Sequence, residues 1–349
     1  MQKIKDFVAT HEQQLSFGAL LSGFLVDNFT LSRIDLWLDN IILFSYLLVA
    51  GFSIILINTW RRPFVERWIP YAMQFAFGGL FSGYVIFYSK SATLAGSWPF
   101  IVMLVILLLG NEFFKERYQR LIFQTSIFFV AVFSFLIFFL PVVIGEMGAS
   151  IFLLSGATSL LVIWLFIKLL ALLTNGATKD YQGKMKASIV GIFLVFNLLY
   201  FTNIIPPIPL SLKELDVYYA VEREGQNYIV YSEDTKWFEF YKRSTYQHIS
   251  GESLSSFSAV FAPTRLTEQI THKWSYFDEE SESWILLAQI SFPITGGRDG
   301  GYRGYSVKEN VFPGRWRVDV VTERDQILGR KNFRVVAADD IPPLVAEIK

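Results

Sequence analysis

Seven apolar runs of membrane-spanning length fill the first 205 residues, and no other feature limits the fold of this 349-residue chain as tightly. They lie at Leu15 to Leu31 and then at about 40–59, 69–89, 96–112, 121–144, 150–174 and 187–205. Each approaches the roughly 20 residues an α-helix needs to cross about 30 Å of hydrocarbon. With 52% hydrophobic and only 18% charged residues, the chain is too apolar for a soluble enzyme of its length, and a polytopic membrane protein is expected. The first run competes as a signal peptide. Asp27 and Asn28 near its end, and the lack of a small-x-small cleavage site, favour a retained helix.

Loop charge supplies a topology. With seven spans, one side receives Lys3, Lys5, Arg61, Arg62, Arg67, Lys115, Arg117, Arg120, Lys179, Lys184 and Lys186, while the short loops of the other carry only Arg33 and Lys90. Positive residues collect on the cytoplasmic side, so the N-terminus is expected to be cytoplasmic and everything after the seventh helix extracytoplasmic. The runs stop at Asn203-Ile-Ile-Pro-Pro-Ile-Pro-Leu210. Adjacent prolines lack N–H donors and push the preceding residue toward extended geometry, which predicts a short, stiff, extended stalk. The expected organisation is a helical domain at 1–205, a Pro-rich stalk at 206–210, an extracytoplasmic domain at 211–338 and a loose tail at 339–349.

Basic and acidic residues number 14 and 10 before residue 206, and 17 and 21 after it. Neither half has the basic excess of a nucleic-acid binder, so no nucleic-acid partner is expected. The absence of cysteine rules out disulfides and thiolate chemistry. Beyond the prolines the hydrophobic period shifts to alternation. Nine short strands are predicted at 217–221, 228–231, 237–241, 256–261, 273–277, 284–292, 302–307, 316–321 and 332–336, separated by Gly- and Pro-containing turns. That spacing points to an all-β, immunoglobulin-like sandwich, with a partly closed barrel as the alternative.

The most information-dense stretch is Pro293 to Ser306, followed by Pro313-Gly-Arg-Trp-Arg317. Its clustered glycines allow close backbone approach. Arg298, Arg303, Tyr302 and Tyr305 have the forked donors and ring faces that recognise a carboxylate, phosphate or sugar. The competing reading is a glycine-rich hairpin whose arginines pair with Asp299 and Asp319. His272, Arg298, Asp299, Arg303, Tyr305 and Trp316 are the candidate ligand-binding cluster, with an anionic or glycan envelope ligand or a partner protein as its target. His248 and His272 lack metal-ligand spacing, so no metal and no cofactor is expected. A Ser-His-Asp triad stays open, because such triads assemble from distant positions, but no nucleophile elbow supports one and no catalytic residue is assigned.

In the helical half, Asp27, Arg33, Asp35, Asp39 and Glu112 form an alternative polar cluster suited to a transporter or membrane-embedded enzyme. The bland reading of the same residues is interfacial pairing or solvation. Gly78-Gly79 with Gly83 reads as close helix packing.

Phe257-Ser-Ala-Val-Phe-Ala-Pro263, His272-Lys-Trp274, Phe292 to Ser306, Pro313-Gly-Arg-Trp-Arg-Val318 and Gly329-Arg330 with Phe333 together resemble a bacterial family catalogued as domain-of-unknown-function family 2914. The resemblance spans roughly residues 210–337, and the helical half resembles membrane-anchored members. It implies a bacterial envelope protein with a small extracytoplasmic β-domain, and it lends no catalytic residue; with the topology above, the expected placement is the bacterial inner membrane with the β-domain periplasmic. The expected function is a binding, sensing or envelope-assembly module held at the lipid bilayer.

Overall fold

The computed structural model describes residues 24–31, 36–60, 62–91, 94–113, 120–174, 181–225, 227–233, 245–249, 251–263, 266–295, 300–340 and 342–349. The chain divides into a helical unit, Met1–Lys90 with Ser97–Pro209, and a β unit, Leu210–Lys349 with Ser91–Gly96.

In the helical unit, residues 24–30 are helical and precede α1 (Trp37–Thr59), α2 (Pro63–Ser91), α3 (Leu94–Phe113), α4 (Leu121–Ile144), α5 (Ala149–Leu173) and α6 (Gln182–Phe201). All seven apolar runs therefore carry helix. Among the described residues, four of these helices, α1, α4, α5 and α6, are long and apolar enough to cross a membrane. α2 has the length, at 29 residues, but glycines, Ser82 and tyrosines dilute its apolar text. The reason is packing, since residues 80–88 are buried without a break. The Tyr84 hydroxyl donates to the Ala131 carbonyl at 2.8 Å and that of Tyr88 to the Ser134 carbonyl at 2.9 Å, so these polar tips find partners on α4. The glycine reading holds: a Cβ on Gly79 would lie 2.6 Å from the Tyr46 ring, and one on Gly83 would lie 2.6 Å from Leu43.

α4 is the central helix, buried over most of its length and packed against α1, α5 and α6. Phe133 on α4 stacks on Phe196 at 4.8 Å and on Phe193 at 5.8 Å between ring centroids. The outer helices leave Phe52, Leu161, Leu165, Leu172, Leu194 and Leu198 exposed. α6 ends in a Schellman motif: Asn203 takes φ 58°, its N–H reaches the Tyr200 carbonyl, and the Ile204 N–H reaches the Leu199 carbonyl. The helix is thus closed by an asparagine cap before the prolines begin. Residues 205–210 are buried.

The β unit contains β1 (Ser211–Tyr218), β2 (Ala220–Glu224), β3 (Asn227–Glu233), β4 (Thr245–His248), β5 (Leu254–Phe261), β6 (Thr267–Asp278), β7 (Ser283–Thr295), β8 (Tyr302–Lys308), β9 (Gly314–Thr322), β10 (Ile327–Ala337) and β11 (Leu344–Ile348). An immunoglobulin-like sandwich has two sheets. These strands form three, ordered β1-β5-β8, β4-β10-β9-β6-β7 and β11-β3-β2. The β1-β5-β8 sheet is covered on both faces. Phe257 and Ala259 pack with Tyr218, Val221, Tyr228 and Val230 on one side. On the other, Val217 and Leu254 join Trp274, Trp316, Val318 and Phe333. Every residue of β5 is consequently buried, including the polar Ser255, Ser256 and Ser258. The predicted strand at 237–241 lies outside the described residues. The loose tail is corrected: Leu344–Ile348 pairs antiparallel with β3, and Lys349 exchanges backbone hydrogen bonds with Tyr228.

Candidate functional site

β6 lies between β9 and β7 in the five-stranded sheet and turns His272 and Trp274 toward β5 and β8. His272 is fully buried, with Nε2 2.7 Å from the Ser258 hydroxyl and Nδ1 2.8 Å from that of Ser306. The Trp274 indole N–H donates to the same Ser306 oxygen at 2.9 Å. A neutral imidazole needs one donating and one accepting nitrogen, and two hydroxyls satisfy either tautomer. Burial pushes the His272 pKa down to about 3, so the ring stays neutral at ordinary pH. Phe292 closes the site edge-on to the imidazole at 5.0 Å. Gly304 leaves room for it, since a Cβ there would lie 2.2 Å from the Phe292 ring. The Ser-His pair has no route to solvent. Its chemistry is that of a satisfied polar pin between two sheets.

The other expected cluster members are dispersed. Trp316 is fully buried, its indole N–H donating to the Phe312 carbonyl at 2.8 Å. Tyr305 faces the opposite layer, 5.9 Å from the Tyr228 ring, and the Arg303 carbonyl accepts from the Tyr228 hydroxyl at 3.2 Å. Arg298 and Asp299 lie outside the described residues. His248 and His272 occupy β4 and β6, three strand spacings apart in one sheet. That is about 14 Å, too far to share a metal ion. Among the described residues, no three His, Asp or Glu side chains gather into a cation site. In the helical unit, Asp27 accepts from the Ser82 hydroxyl at 2.6 Å, and Asp39 is buried. Arg33 and Asp35 lie outside the described residues, as does the side chain of Glu112.

The sequence reading missed the outer face of the five-stranded sheet. Trp316, Val318 and Val320 of β9 point into the core, so alternation sends Arg315, Arg317 and Asp319 outward. Arg315 lies over the Phe277 ring at 3.7 Å, and Arg317 lies over Trp284 at 4.4 Å. Register brings Arg330 of β10 opposite Asp319, where its guanidinium donates to both carboxylate oxygens at 2.6 and 2.8 Å. Those bonds raise the Arg330 pKa above its usual value. Lys273, opposite Asp319 on β6, reaches Asp325 at 2.6 Å. Arg334 lies further along β10 and is exposed. The result is a face of guanidinium and aromatic groups, with Asp319 hydrogen-bonded to Arg330 and 3.5 Å from the Arg317 Nε. The signal was present as Arg-x-Arg-x-Asp over residues 315–319, a period of two.

Residues 267–335 match the family described as "Protein of unknown function (DUF2914)". The matched segment runs from β6 into β10, so it contains His272, Trp274, Phe292, Gly304 and Ser306 as well as the outer arginine face. No curated protein matches the chain. Among solved structures the chain is similar to Pseudomonas fluorescens alkylpurine DNA glycosylase AlkC bound to DNA containing an abasic site analog, at 10% identity and a TM-score of 0.23, covering 88% of this chain and 100% of that one. A likeness that slight carries no argument about fold or function.

Proposed function

We propose that the chain is an inner-membrane protein whose helices hold the β unit at the extracytoplasmic, periplasmic surface as a binding module for an anionic envelope component, a glycan or a peptide. The observation that carries the binding role is the pairing of Arg315 with Phe277 and of Arg317 with Trp284 on one sheet face. Planar cations spread over rings present both charge and a flat apolar surface, the combination that grips acidic sugars and carboxylates. Four helices of spanning length, the apolar side chains exposed on them and the charge asymmetry of the loops support the membrane placement.

The test uses the full chain in detergent and soluble peptidoglycan fragments bearing free carboxylates as probe. Trp284→Ala and Arg315→Ala are each expected to weaken binding about tenfold, on the scale of one desolvated cation–π contact, with hydrogen exchange of β6 and β9 unchanged. Equal binding by wild type and both variants would remove this face from the function.

A further inference from the structure

α5 and α6 each pack mainly against α4, and a groove of about 1090 Å³ runs between them. Its wall is apolar over most of its length, with Ile163 and Ile189 buried at its base and Trp164 exposed along its side. On α5 it extends from Leu160 to Leu172. Twelve residues of helix rise about 18 Å, close to the depth of one bilayer leaflet. The polar side chains of the lining are Gln182, Lys168 and Lys186, with no acid among the described lining residues. Lys168 falls in the last two turns of α5 and Lys186 in the first two of α6, so both cations belong to the same end of the helix pair. Lys168 already lies with its ammonium 3.9 Å from the centre of the Trp164 ring, its stem along the groove wall.

An apolar channel one leaflet deep with two cations at one end matches one kind of molecule. We infer that this groove binds an anionic phospholipid, with one acyl chain along Trp164 and Ile189 and the phosphate between Lys168 and Lys186. A zwitterionic lipid would fill the same channel but bring its own cation to the lysines. The inference rests on the membrane placement proposed above.

The test is native mass spectrometry of the full chain released from detergent with added phosphatidylglycerol or phosphatidylcholine of identical acyl chains. The first phosphatidylglycerol is expected to bind about tenfold more tightly than phosphatidylcholine, from two near-surface cations. Lys168→Gln with Lys186→Gln should abolish that preference, the two Arg variants should restore it, and Lys184→Gln, on the same helix but off the groove, should leave it unchanged. Free glycerol phosphate should not compete. Retained preference in the double Gln variant, equal loss with Lys184→Gln, or competition by glycerol phosphate would each overturn the lipid site. An alkaline carbonate wash of cell membranes separates the two claims. Chain left in the pellet without lysine-dependent preference defeats only the groove, whereas chain released by the wash defeats the membrane placement as well.

Discussion

Acidification of the β unit probes the buried His272 pin directly. The ring titrates near 6.5 in an unfolded chain and near 3 in the folded one, because burial disfavours the imidazolium. Between those values the unfolded chain holds a proton that the folded chain refuses, so stability is intact above pH 6.5 and falls as pH drops through it. At pH 5 the imbalance is about 1.5 pH units, or about 2 kcal/mol relative to pH 7.5. His272→Gln keeps a donor and an acceptor for Ser258 and Ser306 but cannot titrate. The full chain in detergent is equilibrated in urea at each pH and digested briefly, and fragments of the β unit are read by mass spectrometry. The wild type is expected to lose about 2 kcal/mol more than His272→Gln between pH 7.5 and 5. Identical pH dependence in the two chains would refute the buried neutral histidine.

Three further perturbations have defined outcomes in the same unfolding assay. Glu268 is pushed up to about 7, first by burial and then by the nearby Glu323 carboxylate. The folded chain therefore keeps a proton that the unfolded one loses above about 4.5, and stability falls as pH rises toward 7. Glu268→Gln should stabilise the β unit at pH 8 by about 1–2 kcal/mol, allowing for solvent around a half-buried group, and leave it unchanged at pH 4. Asp319→Asn leaves Arg330 and Arg317 without their shared carboxylate, and should cost about 2–4 kcal/mol. Gly304→Ala drives a methyl into Phe292 and should cost about 1–3 kcal/mol, with Phe292→Leu in the same chain recovering part of the loss.

The helical unit was legible because its signal is local: long apolar runs and glycine patches are contiguous in the text. Seven helices follow from it. What was lost depended on long-range pairing. Ser258 gives no local sign that it is buried, because its partner His272 lies 14 residues further on. Leu344–Ile348 looks like a tail because β3, its partner, lies more than 100 residues earlier. The outer arginine face was hidden for a related reason. Glycines and arginines near residue 300 drew notice by composition, whereas the Arg315, Arg317 and Asp319 face emerges only once Trp316 and Val318 are known to point inward. His272 and Trp316 were singled out by residue type, and both are core.

Sidedness decides whether the β unit can meet an envelope ligand at all. The most direct measurement fuses a phosphatase that is active only after export either beyond Lys349 or in the loop beside Lys184. The account predicts an active enzyme at the first position and a silent one at the second. The reverse pattern would place the β unit in the cytoplasm and contradict the membrane-anchored binding module.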